Sequence, residues 1–421
     1  MAEFARPGPT VSLEAARDQL LTALHRLTPR PTPLDQALGT VLATQVIASE
    51  NIPSFANAAM DGYAVRAADI GEAPGSLRLV GRIAAGHPAT TPLGPGQAMT
   101  ITTGAPLPPG ADSVCMVEHA VIDGDDLTLE AGVQVGQHVR HTGEDVTRGS
   151  LVFDAGTEIR PAHIGVLASL GVGEVTVYPR ARVGVLSTGD ELQSGSGELG
   201  DGKIRDSNRH ALLALVSGAG CEPIDLGIVG DEEVDIQSAL DGARSTCDAI
   251  ITSGGVSVGV ADHMKTVLGR LSGGSAHWME VAIKPAKPFG FATIGSAGTP
   301  VLCVPGNPVS ALVSFELLAR GAVRFMMGHS VLDRPRWNAT AAEPLRRRRD
   351  GKVHLVRVLA GVDAGTLVVR PIAGQGSHQL RSTALANALA VLPDGEGMDT
   401  GEVVSVILLE PDAVPDARSD Q

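Results

Sequence analysis

The stretch RVGVLSTGDEL, residues 182–192, decides the fold. Arg182–Leu186 has the length and β-branched, apolar texture of a strand, and Ser187, Thr188, Gly189, Asp190 and Glu191 turn it into a polar loop. The same succession recurs. Glu222–Leu226 approaches Gly230 and Asp231, Asp248–Ile251 runs into TSGGVSVGVAD (252–262), and Val301–Val304 runs into PGNP (305–308). Helical patterns lie between. One covers Ser207–Val216, capped by Asp206 or Ser207 and stopped near Gly218, and another covers Pro308–Ala322. Strands alternating with helices predict a parallel sheet with helices on both faces. Such sheets bind ligands beyond the carboxyl ends of their strands, where these loops gather.

The loop residues suit a phosphorylated ligand. Gly189, Gly254 and Gly255 let the backbone approach closely, and free N–H groups at helix starts attract oxyanions. Ser187, Thr188, Ser253, Pro305 and Asn307 share those loops, and Glu191, Asp231 and Asp262 supply hard oxygen donors for Mg²⁺. Read singly, each loop is a tight turn; several on one rim predict a nucleotide-type pocket. Between the third and fourth strands, Lys284 and Lys287 stand in IKPAKP (283–288), a proline-stiffened segment. Two ammonium groups there would neutralise a dianion, and as single residues they read equally well as solvated lysines.

Outward from this region the texture changes. Val11–Leu27 carries Leu13, Ala16, Leu20, Leu21 and Leu24 at helical spacing, and Pro33–Leu42 reads as a second helix with Thr32 as its cap. Residues 51–145 alternate short apolar runs with Gly and Pro punctuation, a small β module. Arg160–Val177 starts as a helix closed by Gly171 and ends as a strand. It is expected to pack with the N-terminal helices, with the β module inserted between them. Beyond Arg334 short strands return, at Val353–Val358, Thr366–Val369, Ala388–Leu392 and Val403–Leu408. The divisions are 11–50 with 146–178 (helical), 51–145 (inserted β module), 179–330 (α/β) and 331–411 (C-terminal β domain).

Composition excludes several classes. With 421 residues and 43% hydrophobic ones, the chain has enough apolar material for several cores. A net charge of −14 with only 3% aromatics argues against a nucleic-acid surface. An anionic ligand therefore needs a local basic pocket. Arg346–Arg349 reads as a solvated loop. Cys115, Cys221, Cys247 and Cys303 form no zinc spacing and read as buried thiols of a reducing compartment. No signal peptide or membrane-length apolar run is present in the sequence, so the expectation is a cytoplasmic protein without a membrane partner.

Taken in order, eight segments resemble the molybdopterin molybdenumtransferase family, to which the C-terminal domain of gephyrin is related. They are PSFANAAMDGYAV (53–65), TTGAPLPP (102–109), GED (143–145), LSTGDEL (186–192), TSGGVSVGVAD (252–262), KPAKP (284–288), PGNPVSA (305–311) and GQGS (374–377). The resemblance covers about Val11 to Glu410. It implies a multidomain α/β protein: a molybdopterin-binding-type α/β domain, an inserted β module, a helical part and a C-terminal β-barrel. It further implies a homodimer whose cleft lies between the α/β and last domains of one subunit and faces the β module of the other. The implied reaction is adenylyl-molybdopterin plus molybdate giving molybdenum cofactor and AMP, with Mg²⁺. By motif, Asp61, Asp145 and Asp262 would be catalytic, Glu191, Asp231 and Asp262 would hold metal, and Thr103, Lys284, Lys287, Lys352 and Ser377 would meet the substrate. Where the family often has Gly-Arg, this chain has Gly351-Lys352, which keeps the charge and loses the planar fork, so Arg357 or Arg381 is expected to share the oxyanion role. Partners implied are the adenylyltransferase of the preceding step and molybdoenzyme apoproteins. Two rival readings are that adenylyltransferase itself, which would need only the α/β domain, and a non-catalytic scaffold, which would not need the carboxylates and lysines.

Overall fold

The computed structural model describes residues 9–71, 75–256, 263–410 and 414–415. The chain forms two compact units. One holds the chain up to Arg30, residues 39–41 and everything from Tyr178 onward; the other holds 31–38 and 42–177. Among the described residues no helix is long and apolar enough to cross a membrane. All four cysteines are buried and free, as their spacing predicts.

Helix α1, Leu13–Thr22, starts where the Ser12 hydroxyl accepts the Ala15 N–H at 3.1 Å. Its apolar face (Leu13, Ala16, Leu20) is buried against the α/β strands, in one core with Val183, Val185 and Ile251. The expected second helix over 33–42 is absent: Arg30–Pro33 is extended, Leu34–Gln36 is one 3₁₀ turn and Val41–Leu42 is extended again. Pro31 and Pro33 push Arg30 and Thr32 out of the helical region, and Gly39 at φ +76° ends the turn.

In the second unit a six-stranded sheet comprises β1 (Gly62–Val65), β2 (Gly75–Ile83), β3 (Gln97–Ile101), β4 (Ser113–Met116), β5 (Ala120–Asp123) and β6 (Asp126–Leu129). Their order is β5-β6-β2-β3-β1-β4. Tyr63, Val65, Ala98 and Cys115 bury into one core and Ala64, Met99 and Val114 into another, so β1, β3 and β4 are covered on both faces. That is why these strands read as apolar runs without alternation. Helix α2, Pro161–Ser169, has proline in its first turn and packs Leu167 with Ala37, Leu42, Ile159, Val175 and Val177.

The first unit contains the predicted α/β sheet. Strands β7 (Arg182–Thr188), β8 (Glu222–Val229), β9 (Ala249–Ser253) and β12 (Thr299–Val304) run parallel in the order β8-β7-β9-β12. Helices α3 (Asn208–Gly218), α4 (Glu233–Ala243), α5 (His263–Leu271) and the stretch Pro308–Met326 cover it. Val185 and Ile251 face one core while Leu186 and Ile250 face the other. Two further strands, β10 (His277–Val281) and β11 (Pro288–Ile294), pair antiparallel, β11 is antiparallel to β12, and Thr10–Val11 adds in parallel outside β10. The sheet is therefore mixed, and KPAKP is the connection between β10 and β11.

The same unit ends in a closed five-stranded barrel of β13 (Arg336–Ala341), β14 (Val353–Asp363), β15 (Thr366–Pro371), β16 (Ala388–Leu392) and β17 (Val403–Leu408). Hydrogen bonding runs β14-β15-β13-β17-β16 and returns to β14. Ile283 and Lys284 pair in parallel with Val353 and His354, which fastens the KPAKP connection to the start of β14.

Candidate active site

The loops at the carboxyl ends of β7, β9 and β12 wall a cavity of about 370 Å³. Thr188, Gly189, Glu191, Asp231, Gly254, Gly255, Pro305 and Asn307 line it, as the sequence predicts. Gly254 adopts φ +101°, and a Cβ there would lie 2.8 Å from the Thr188 carbonyl oxygen, so only glycine lets the two loops approach. Asp190 and Asp231 are tied reciprocally, each backbone N–H donating to the other's carboxylate at 3.2 Å. That exchange sets Asp231 on the rim with Glu191. Ser187 and Ser253, expected on the wall, lie behind it. The Ser187 hydroxyl is buried against Asp206 at 3.0 Å, and Ser253 Oγ accepts from Asn208 Nδ2 at 2.8 Å.

Asn208 was not singled out in the sequence. Its Nδ2 also donates to the Gly306 carbonyl at 2.7 Å, so one side chain joins the third and fourth loops. Asp206 accepts the Arg209 N–H at the start of α3 and pairs with the Arg209 guanidinium at 2.8 Å, while Arg209 also reaches Asp225. This resolves the two candidate caps in favour of the Asp206 side chain.

A second cavity, of about 600 Å³, lies between the KPAKP connection and the barrel and shares Pro288 and Asn307 with the first. Lys284, Lys287, Lys352 and Ser377 all line it. Lys287 pairs with Glu280 at 2.7 Å, whereas Lys284 is exposed on the wall. Arg346 and Arg348 line it too, so the run 346–349 is not a plain solvated loop. Arg347 within that run is wholly buried and donates to the carbonyls of Lys352, Leu392 and Pro393 and to Asp350 and Asp394. Arg357 and Arg381 do not line the cavity. Arg357 is fully buried, its pKa lowered by desolvation, and donates at 2.7 Å and 3.2 Å to the carbonyls of Gly374 and Gly376, holding the loop that carries Ser377.

In the other unit, Asp61 follows Ala58, which exchanges backbone bonds with the 104–105 loop. Asp61 Oδ1 accepts the Thr103 N–H at 2.6 Å and the Thr103 hydroxyl at 2.9 Å. These bonds, the backbone one first, hold its carboxyl below the ordinary range. Thr103 thus orients a carboxylate. Asp145 sits in an exposed turn fixed by its own N–H to the Ile52 carbonyl at 2.9 Å. Asp262 lies outside the described residues.

The donor set fits Mg²⁺ in part. Glu191 and Asp231 offer exposed carboxylates on one cavity wall, while no group of three metal-ligating side chains occurs among the described residues. Mg²⁺ commonly takes one or two carboxylates and completes its shell with substrate phosphates and water.

A mixed α/β sheet with carboxylates at its loop rim, beside a cavity lined by lysines and arginines next to a β-barrel, defines a class of multidomain α/β protein with adjoining acidic and basic cavities. Known proteins match this description in order along the chain. The family described as "MoeA N-terminal region (domain I and II)" matches residues 11–171, "Probable molybdopterin binding domain" matches 184–324, and "MoeA C-terminal region (domain IV)" matches 338–409. The chain is 36% identical to molybdopterin molybdenumtransferase of Haemophilus influenzae, across 94% of this chain and 98% of that one. It is 39% identical to molybdopterin molybdenumtransferase 2 of Mycobacterium tuberculosis, across 87% and 91%. The crystal structure of the molybdopterin biosynthesis moeA protein from Pyrococcus horikoshii superimposes with a TM-score of 0.80 at 30% identity, across 95% of this chain and 100% of that one. The chain belongs to the molybdopterin molybdenumtransferase family.

Proposed function

We propose that this protein is a transferase of molybdenum cofactor biosynthesis that inserts molybdate into adenylyl-molybdopterin and releases AMP. The observation that carries the reading is the pair of adjoining cavities, a carboxylate-rimmed one and a basic one, joined through Pro288 and Asn307. The first suits a nucleotide and its phosphates; the second suits a tetrahedral dianion. The pterin's own sulfurs are the soft ligands for molybdenum, which agrees with four buried cysteines that offer no metal site. Glu191 and Asp231 would hold Mg²⁺, which when bound neutralises phosphate charge, and we keep Asp262 in that set. We assign Asp61 and Asp145 as the catalytic carboxylates, with Thr103 orienting the first.

The reading is tested by adding molybdate to the protein loaded with adenylyl-molybdopterin and measuring AMP. Molybdate-dependent release supports it; release that ignores molybdate overturns it. Lys284→Ala should weaken molybdate binding about tenfold or more, since a charge-assisted contact contributes roughly 1.5–3 kcal/mol. Lys287→Ala should cost less, because Glu280 already neutralises that ammonium. A titration showing unchanged affinity for Lys284→Ala would remove it from the site.

We also propose a homodimer working in the cytoplasm, receiving its substrate from the adenylyltransferase of the preceding step and passing cofactor to apoproteins. At a molybdate concentration low enough that Lys284→Ala dimers are slow, mixed dimers of Asp61→Asn and Lys284→Ala subunits should regain part of the activity. Verified mixed dimers with no recovery would refute the shared arrangement.

A further inference from the structure

The basic cavity contains a titratable group that binding alone does not need. His354, at the start of β14, is the imidazole among its lining residues, and it is 9% exposed. Lys352, His354 and Val356 reach the cavity from alternate positions, and Lys284 is the register partner of His354 on the neighbouring strand. His354 Nε2 meets both oxygens of Asp350, at 3.1 Å and 3.0 Å. Asp350 in turn pairs with Arg347 at 3.0 Å, and Asp394 holds Arg347 from the loop after β16. Leu392, the β16 partner of His354, adds no charge. The charged groups acting on the ring are thus Asp350 on one side and Arg347 and Lys284 on the others, with Lys352 elsewhere on the cavity wall.

Burial, then the cations Arg347 and Lys284, outweigh Asp350 and hold the imidazole below its ordinary range. These surroundings favour the neutral ring. With Nε2–H donated to Asp350, Nδ1 is the nitrogen left to gain a proton. A dianion in the cavity reverses the balance, because negative charge beside the ring favours its cationic form.

We propose that His354 is the proton carrier of the oxyanion cavity: it takes up a proton when a tetrahedral dianion such as molybdate binds, and gives it to the oxo group that leaves as water during molybdenum insertion. The proposal rests on the function proposed above. The step balances without a redox partner. Molybdate and a singly protonated dithiolene form two Mo–S bonds and lose one Mo–O bond. The departing oxygen takes the thiol proton and the imidazolium proton, and leaves as water. Molybdenum stays hexavalent, and the imidazole returns neutral to the Asp350 pair.

The test is calorimetric titration of the full chain with sodium molybdate and, separately, sodium sulfate, in buffers of different ionisation enthalpy at about pH 6 to 8. The wild-type protein should take up a fraction of a proton approaching about one on binding either anion. Affinity should fall as pH rises, by up to about tenfold per pH unit between the free and bound pKa of the ring. His354→Gln should bind with no proton uptake and no pH slope, about tenfold more weakly at the acid end. Its molybdenum insertion should lose the decline of rate on the alkaline side, a change that a merely structural residue would not produce. Wild-type binding without proton uptake, or the same uptake in His354→Gln, overturns the proposal and leaves the cavity assignment standing. Failure of both anions to bind overturns the cavity assignment itself, and this proposal with it. If His354→Gln does not fold, the wild-type buffer series still decides.

Discussion

Asp61→Asn should fold like the parent, hold adenylyl-molybdopterin, and release AMP on adding molybdate some ~10²–10⁴ times more slowly, the usual range for loss of a general acid–base group. Asp61 Oδ1 accepts two hydrogen bonds from Thr103, at 2.6 Å and 2.9 Å, and an asparagine Oδ1 accepts the same two. The loop geometry therefore survives the change. What disappears is a negative charge and a site that can accept a proton. Because the Thr103 bonds depress the folded-state pKa, Asp61 is ionised throughout the neutral range. The stabilisation it draws from those bonds is present above the unfolded pKa and is lost as pH falls through the folded one. The rate of the wild-type protein should accordingly show no Asp61 titration near neutrality. Melting temperature, substrate affinity and AMP release measured on one preparation separate these effects. Parental AMP release from a folded Asp61→Asn protein would strike Asp61 from the catalytic carboxylates.

Arg347→Ala should destabilise the barrel by roughly 3–5 kcal/mol, the cost of breaking a buried, multiply bonded cation. The Arg347 side chain has no solvent exposure, and its guanidinium ties two segments: the 348–352 turn, and the end of β16 with Pro393 and Asp394. Its loss leaves carbonyls facing an empty space and Asp350 without its cation. Arg347→Lys should rescue little, since one ammonium cannot reach carbonyls and carboxylates that a planar fork spans together. The same loss frees the turn that carries Lys352, so molybdate affinity should fall with stability. A denaturation midpoint equal to the parent's for Arg347→Ala would show that the run 346–349 is the solvated loop its composition suggests.

The α/β core was legible because its signal is local. A strand followed by a Gly-rich polar loop is written in ten consecutive residues, and β7, β8, β9 and β12 fall where those runs stand. The lining of the first cavity followed from it, save for Ser187 and Ser253, whose side-chain direction is set by Asp206 and Asn208 on another element. Strands β10 and β11 were not read as strands. Proline and lysine at 284–288 disguised their connection, which is held in place by pairing with β14 far along the chain. Arg346–Arg349 misled for the same reason: a charge run reads as solvated until the carbonyls of 352, 392 and 393 surround its second member. The segment 33–42 failed differently: Thr32 and Pro33 suit a helix start, but only one 3₁₀ turn forms at Leu34–Gln36 before Gly39 at φ +76° ends it.

The pairing of Ile283–Lys284 with Val353–His354 also bears on the order in which the chain is made. Synthesis delivers the complete α/β sheet, with its carboxylate-rimmed cleft, before any barrel strand exists. At that stage Lys284 lacks its neighbour on β14, and Lys352, Ser377 and the three lining arginines are still to come. The carboxylate-rimmed cleft can therefore mature while translation continues, but the basic cavity comes into being only when β14 docks. An unfinished chain thus lacks the basic cavity assigned to molybdate, and a lesion that stops the barrel from closing removes that half while sparing the cleft beside it.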